Sequence, residues 1–199
     1  RRPRGRPREF DRDAALDVAV AVFWARGYEG ASVDDLTLAM GLNRSSLYRA
    51  FGDKHALFRA ALARYGETSG AAPMRALRAH PGPARDALRA FLHAAVDAQT
   101  RAGQPRGCLV TCVATDAAGT HPDVAAEARA VYRATDRLLA EYVHEAQARG
   151  ELPADLDADV LATTLSALMH SLSLRARAGT ARTALRALAD RAFDALVPA

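Results

Sequence analysis

Apolar residues recur at helical spacing along nearly the whole chain. The first stripe follows Asp11 and comprises Leu16, Ala19, Val20 and Phe23. These positions are i, i+3, i+4 and i+7, which place them on one face of a helix that Gly27 ends. Few segments alternate with period two, so strands are not expected. The pattern predicts an all-α protein.

A second, shorter helix is predicted over residues 32–40. Ser32 can accept a hydrogen bond as its N-cap, and Asp35 places a carboxylate in the first turn, where it favours the positive end of the helix dipole. Val33, Leu36 and Met40 are expected to face inward. Gly41 then provides a tight turn. Two helices and a short turn are thus expected before residue 43.

The third helix is predicted from Arg44 to about Phe51, with Asn43 as its N-cap. Leu47 and Phe51 lie at i and i+4 and would hold it against the core. Its exposed side chains are mostly hydrogen-bond donors: Arg44, Ser45, Ser46, Tyr48 and Arg49. A helix that enters a major groove reads bases with its N-terminal residues. The spacing therefore predicts a helix-turn-helix, with Arg44 and Ser45 placed at bases.

Lys54 stands in the first turn of the following helix, which Gly52 and Asp53 introduce. A cation at this end opposes the helix dipole, so its position suggests an anionic partner such as a phosphate. The alternative is a solvated surface lysine. Tyr48 and Ser46 can also reach phosphates from the third helix. For Tyr48 the alternative is a half-buried packing role.

Further helical stripes follow across the rest of the chain. Residues 66–82 contain Pro73, Pro81 and several glycines, and they are expected to include a loop or a frayed helix end. Helices are then predicted over about 83–101, 108–118, 122–149, 155–177 and 180–197. Together with those already predicted, the chain should hold about nine helices. Three units are expected: a basic arm at 1–10, a helix-turn-helix domain at 11–58, called the head, and a larger helical body at 59–199.

The charge is distributed unevenly. Residues 1–66 hold 12 basic and 8 acidic side chains, whereas the remainder is balanced, so the net charge of +4 lies at the front. The arm carries five arginines, and its core, residues 3–7, resembles the AT-hook that enters narrow minor grooves. Arg4 and Arg6 would be the inserted side chains. The alternative is a solvated basic tail with general attraction to phosphates.

The remaining chemistry argues for a binding protein. Cys108 and Cys112 lie four residues apart, where an undistorted helix cannot join them as a disulfide; oxidant or electrophile sensing by one cysteine stays a minor alternative. The six histidines show no metal-ligand spacing, and no catalytic motif is present, so no metal, cofactor or enzyme activity is expected. No apolar run approaches the roughly 20 residues that span a bilayer. A cytoplasmic protein without membrane contact is expected.

Residues 10–66 resemble the DNA-binding domain of the TetR family of transcriptional regulators. The resemblance rests on Phe23, Gly27-Tyr28, 32–36, 39–42, Leu47-Tyr48, Phe51 and 54–58. It implies an all-α homodimer on a pseudo-palindromic double-stranded DNA operator, most often a repressor that a small-molecule effector releases. It also implies phosphate contacts for Ser32 and Lys54 and a backbone position for Tyr48. An architectural binder of A·T-rich DNA without an effector is the alternative function.

The same resemblance implies that the body, residues 59–199, is a ligand-binding and dimerisation domain. Residues 106–110 are similar to the opening of the sixth helix in some TetR regulators. The implied effector cavity would involve Phe91, His93, Val96, Leu109, Cys112, Val113, Asp116 and Tyr132, with Thr111 and Thr115 as further polar candidates. Ordinary core packing is the alternative for most of them. The implied dimer interface comprises Leu161, Leu165, Leu168, Leu172, Leu185, Leu188 and Leu196. The alternative is that both of these stripes close the protomer's own core.

Overall fold

A computed structural model describes residues 11–197, and every regular element among them is helical. The helices are α1 Arg12–Gly30, α2 Val33–Met40, α3 Arg44–Phe51, α4 Lys54–Glu67, α5 Ala72–Ala79, α6 Ala84–Gln99, α7, α8 Pro122–Ala148, α9 Ala158–Arg177 and α10 Arg182–Leu196. Helix α7 consists of a π-helical turn, Val110–Ala114, continued by Thr115–Ala117. The predicted all-α fold is confirmed.

One short helix adds to those expected from the pattern. Helix α5 lies in the segment where the sequence indicates a loop or a frayed end. Pro73 stands in the first turn of this helix, where a main-chain nitrogen has no hydrogen-bond partner within the helix in any case. The fixed φ of proline also suits a helix. The proline therefore helps to begin a helix that the pattern did not predict, while residues 68–71 and 80–82 on either side form turns and loop, as expected for part of 66–82.

The first helix contains a break at the predicted glycine. Gly27 has φ 78° and ψ 171°, a conformation that favours glycine, and the chain resumes a helical turn as far as Gly30. Beyond the break, Tyr28 packs on Phe58 of α4, with ring centroids 4.9 Å apart. Phe23 meets the same ring at 5.0 Å. An aromatic cluster thus fastens α1 to α4 and forms the centre of the head.

Two apolar cores support the molecule. The first joins α1–α4 with α7 and the beginning of α8, and the second joins α5, α6, the remainder of α8, α9 and α10. Helix α4 runs through the expected domain boundary at 58/59, with Leu57, Phe58 and Leu62 all in the first core. The helix-turn-helix end therefore shares its core with the part of the body that surrounds α7.

Candidate nucleic-acid interface

The start of α2 is fixed by a reciprocal capping arrangement. The Asp35 N–H donates to Ser32 Oγ at 3.0 Å, and the Ser32 N–H donates to Asp35 Oδ2 at 3.1 Å. These bonds satisfy main-chain donors that a helix start leaves unpaired. The hydrogen bonds from Ser32 lower the pKa of Asp35, and an ion pair with Arg26 at 2.6 Å acts in the same direction. Ser32 remains exposed, as a phosphate contact would require.

The turn between α2 and α3 depends on Gly41, which adopts the left-handed conformation with φ 65° and ψ 29°. Its N–H and that of Leu42 bond back to carbonyl oxygens at the end of α2, the latter to Thr37 O at 2.9 Å. Non-glycine residues adopt this conformation at a cost. The glycine thus sets the angle at which α3 leaves the turn.

Helix α3 presents polar side chains because its apolar ones hold it to the core. Asn43 Oδ1 accepts from the Ser46 N–H at 2.8 Å and from Ser45 Oγ at 2.7 Å. Leu47 is fully buried and Phe51 nearly so. The opposite side is exposed and comprises Arg44, Ser45, Tyr48 and Arg49, which we call the recognition edge. Ser46 is half-buried beneath it and accepts a 3.4 Å hydrogen bond from Arg49.

Arg44, the first residue of the recognition edge, is hydrogen-bonded to Asp34 of the neighbouring helix α2. Its Nε donates to Asp34 Oδ1 at 2.9 Å and its Nη2 to Asp34 Oδ2 at 2.7 Å. This pairing lowers the pKa of Asp34. Asp34 lies ten residues before Arg44 and was not predicted as part of the site, although an acidic residue close to a donor-rich helix was an available signal.

Lys54 lies at the start of α4, three residues after the end of α3. Asp53 caps this helix by accepting from the Ala56 N–H at 2.7 Å. The Lys54 ammonium nitrogen lies 4.5 Å from the centroid of the Tyr28 ring, so the lysine is half-buried. Contact with the ring face stabilises the ammonium group, whereas the positive end of the helix dipole disfavours it. Arg4 and Arg6, the other predicted DNA contacts, lie outside the described residues.

A cavity of about 340 Å³ opens in the body between α4 and α9. Three of the residues expected there line it: Phe91 of α6, Thr111 of α7 and Tyr132 of α8. Its remaining walls include Leu62 and Tyr65 of α4 and Met169 and His170 of α9, none of which the sequence analysis proposed. The apolar stripe of α4 was a signal, but it does not distinguish a cavity wall from a core.

The other expected cavity residues lie elsewhere. His93 Nε2 is 2.7 Å from Asp190 Oδ1 on α10, and Asp116 is exposed. Cys112 Sγ lies 3.6 Å from Ser173 Oγ. Packed core positions are occupied by Val96, Leu109 and Val113. For these three, the core-packing alternative describes what is seen.

The cavity wall is apolar with a few uncharged polar groups. No Asp, Glu, Lys or Arg belongs to the described lining. Tyr132 OH lies 2.6 Å from Thr115 Oγ1, and the Tyr132 ring packs on His170 at 4.6 Å. Burial lowers the pKa of His170 and so favours its neutral form. The Thr111 hydroxyl, also in the wall, is buried and has no hydrogen-bond partner among the described residues.

The two C-terminal apolar stripes face mainly inward. Within the protomer, the second core encloses Leu161, Leu165, Leu172 and Leu185, whereas Leu168, Leu188 and Leu196 are half-buried. Closing the protomer's own core therefore describes the first four. On the outer face of α9, Val160 is 62% exposed and Leu174 is 54% exposed. A partner chain that packed on this outer face would leave the inner stripe covered.

Cys108 and Cys112 are both free thiols. No group of three or more histidine, cysteine or acidic side chains within residues 11–197 could hold a metal ion. None of the described helices is long and apolar enough to cross a membrane.

Family models match both parts of the chain. The model for "Bacterial regulatory proteins, tetR family" matches residues 15–61, and "Tetracyclin repressor-like, C-terminal domain" matches residues 83–192. The first match includes the whole helix-turn-helix. The second includes α6–α9 and most of α10.

Individual relatives resemble the chain over nearly its full length. The HTH-type transcriptional repressor ComR of Escherichia coli (strain K12) is 34% identical over 189 residues, covering 95% of this chain and 90% of ComR. The repressor BdcR of the same strain is 29% identical, over 96% of this chain and 92% of its own. A solved cysteine mutant of the TetR family regulator CifR, complexed with 26 bp double-strand operator DNA, is 40% identical with a TM-score of 0.86. That match covers 96% of this chain and 99% of the CifR chain.

Proposed function

The chain belongs to the TetR family of transcriptional regulators, and from this premise we propose that it is a cytoplasmic, effector-controlled repressor that binds a pseudo-palindromic operator as a homodimer. The observation that carries the proposal is the recognition edge. Four polar or basic side chains project from α3 while Leu47 and Phe51 fix its buried side. ComR and BdcR are named repressors, and CifR is described in complex with operator DNA.

The recognition edge supports major-groove reading by its N-terminal members. Arg44 and Ser45 occupy the first turn of α3 and would meet base edges, whereas Tyr48 and Arg49 lie further along the helix. Ser32 and Lys54 flank the edge from the starts of α2 and α4 and would contact phosphates. Arg4 and Arg6 remain proposed minor-groove contacts.

Homodimerisation is supported by the outer face of α9. Val160, Thr164, Ala167, Ser171 and Leu174 follow one helical face, and the two large apolar side chains at its ends are exposed in the protomer. Burying exposed apolar side chains stabilises an assembly. A two-fold dimer would set two copies of α3 about one DNA turn apart. Leu168, Leu188 and Leu196 would border the contact.

Light scattering tests the dimer. Wild-type protein is expected to have twice the protomer mass at micromolar concentration, and Leu174→Asp to shift it toward the protomer mass. Leu174 is exposed, so the change should leave the protomer folded. The control is Leu38→Asp, since Leu38 is exposed on α2 and far along the chain from α9. A wild-type protomer mass at this concentration would contradict the dimer.

Release by an effector is supported by the cavity. Its uncharged wall, with hydroxyls of Thr111 and Tyr132 and the neutral His170, suits a small, mostly apolar molecule that carries one hydrogen-bonding group. An open apolar groove between α4 and α8 shares Leu62 and Val131 with the cavity and would admit such a molecule.

Selection of duplexes from a random pool tests the DNA function as a whole. A short two-fold symmetric sequence is expected, and titration should show that its affinity falls steeply as salt rises. Uniform coating of A·T-rich DNA would favour the architectural alternative. Absence of binding to any duplex at low salt would contradict DNA recognition altogether.

A further inference from the structure

The pair between Asp34 and Arg44 joins the two helices of the helix-turn-helix at its DNA-facing side. Their side chains are 70% and 62% exposed. Exposed ion pairs contribute little to stability, because water already solvates both charges and long side chains lose freedom on pairing. Holding α2 to α3 is also done by Leu36 and Leu47, which are fully buried. The ion pair is therefore expected to contribute little to the stability of the fold.

The geometry of the pair uses only one edge of the guanidinium. Within the described residues, Arg44 makes its side-chain hydrogen bonds through Nε and one hydrogen of Nη2, both to Asp34. The edge formed by Nη1 and the second Nη2 hydrogen keeps its donors for another acceptor. A two-point contact also fixes the plane of the guanidinium, which a single hydrogen bond does not.

Guanine is the base whose major-groove edge matches such a donor pair. Its O6 and N7 accept two parallel hydrogen bonds from one arginine. An unrestrained arginine must lose side-chain freedom to make this contact, and it can turn toward phosphates instead. A carboxylate beside the base edge adds discrimination, because it repels phosphates and leaves the arginine directed inward.

We propose that Asp34 is a positioning residue for sequence reading: its carboxylate holds the Arg44 guanidinium so that the terminal edge meets a guanine in each half-site. The inference rests on the proposed function, since it needs α3 in the major groove. It assigns Asp34 a role in specificity, and it predicts that Asp34 lowers affinity for DNA in general through its charge while raising preference for one base pair.

The first step of the test finds the base pair that Arg44 reads. Duplexes are selected from a random pool with wild-type protein, and the preferred duplex is then varied one symmetric base pair at a time. Arg44→Ala should abolish preference at one position, which the wild type should fill with G·C. The wild-type ratio of affinities for G·C over A·T there should be about tenfold for each half-site, the scale of a two-point arginine contact.

The second step asks whether Asp34 acts through Arg44. Asparagine offers one acceptor where the carboxylate offers two, so Asp34→Asn should loosen the guanidinium and reduce the G·C preference toward that of Arg44→Ala. The affinity of the Asp34→Asn variant should rise for the duplex with G·C at this position and for the duplex with A·T, because the substitution removes a negative charge near the phosphates. In an Arg44→Ala background, Asp34→Asn should leave the base preference unchanged.

A matched control separates charge from positioning. Asp17 and Arg64 form the same two-point arrangement between α1 and α4, with distances of 2.7 and 3.0 Å. Asp17→Asn therefore removes one carboxylate and one such pair from the same head without touching α3. It should keep the full wild-type preference for G·C. Circular dichroism of each variant checks that α2 and α3 are intact.

The outcomes distinguish the inference from the function beneath it. If Asp34→Asn binds both duplexes more tightly yet keeps the wild-type ratio, as Asp17→Asn should, Asp34 acts as a charge alone and the inference is overturned. It is also overturned if Arg44→Ala leaves every base preference intact. If wild-type protein enriches no sequence at all, sequence-specific recognition itself fails. A reduced ratio in Asp34→Asn with a retained ratio in Asp17→Asn supports the assignment.

Discussion

Arg177, near the end of α9, donates a hydrogen bond from Nη1 to the main-chain oxygen of Trp24 on α1, 2.7 Å away. The same guanidinium reaches Ala25 O at 3.4 Å and Arg106 O at 3.3 Å. These carbonyls include two that precede the break at Gly27, where a helix leaves acceptors unpaired. One side chain of the body thus holds the end of the first head helix.

Replacing Arg177 should loosen the head from the body. Arg177→Ala leaves half-buried carbonyl oxygens without their charged donor, a loss of about 1.5–3 kcal/mol. For a chain of this size, the melting temperature should fall by roughly 3–12 °C. Arg175→Ala is the control, since Arg175 is exposed and makes one 3.4 Å contact with Ser171. Equal melting temperatures for the two variants would show that the contact with α1 stabilises nothing.

Lys54 should contribute one phosphate contact in each protomer. Lys54→Gln is expected to reduce the slope of log affinity against log salt by about 0.9 per protomer, hence by about 2 for a dimer. Titrations of the selected duplex at several salt concentrations measure this slope. Lys54→Arg should keep it, because the charge and the contact with the Tyr28 ring both remain possible. An unchanged slope in Lys54→Gln would favour the solvated-lysine alternative.

Local signals were sufficient to predict the head. The N-caps Ser32 and Asn43 and the left-handed Gly41 act on main-chain groups within a few residues, so their meaning is already present in the sequence. The pairing of Asp34 with Arg44 was not predicted, because it depends on the angle between α2 and α3. Propensity and capping rules describe single helices and do not supply that angle.

The body shows the limits of helical periodicity more strongly. The family resemblance implied His93 as a cavity residue, yet its imidazole pairs with Asp190, which lies 97 positions later. Leu165 and Leu172 follow an apolar stripe whose period would be the same whether a partner chain or the protomer covered it. Tertiary packing decides which helix covers an apolar stripe, and the sequence of the stripe itself does not show it.

Filling the cavity should abolish effector binding without unfolding the protein. Ala134 lies in the cavity wall on α8, and Ala134→Phe would occupy much of its space. In a thermal-shift screen of small uncharged aromatic and alicyclic compounds, a compound at 100 times its Kd should stabilise the wild type by about 2.7 kcal/mol. The variant should show no shift with the same compound.

The control for cavity filling is Ala126→Phe, an exposed position on the same helix that lines neither the cavity nor the groove beside it. It should respond to the compound as the wild type does. The same compound should release wild-type protein from its duplex and leave Ala134→Phe bound. A stabilising compound that acts equally on Ala134→Phe binds somewhere other than this cavity.

His170 should make the stability of the body depend on pH. Burial in the cavity wall lowers its pKa below the usual 6.5, although the charge of Asp136 opposes this shift. The unfolded chain therefore takes up a proton more readily than the folded one. The free energy of unfolding is thus at its full value above about pH 6.5, and it decreases as the pH falls through the folded pKa. His170→Gln, which does not titrate, should melt with a weaker dependence on pH between 5 and 7. His144→Gln, an exposed change on α8, should retain the wild-type dependence; identical profiles for the wild type and His170→Gln would mean that burial of this imidazole does not penalise its charged form.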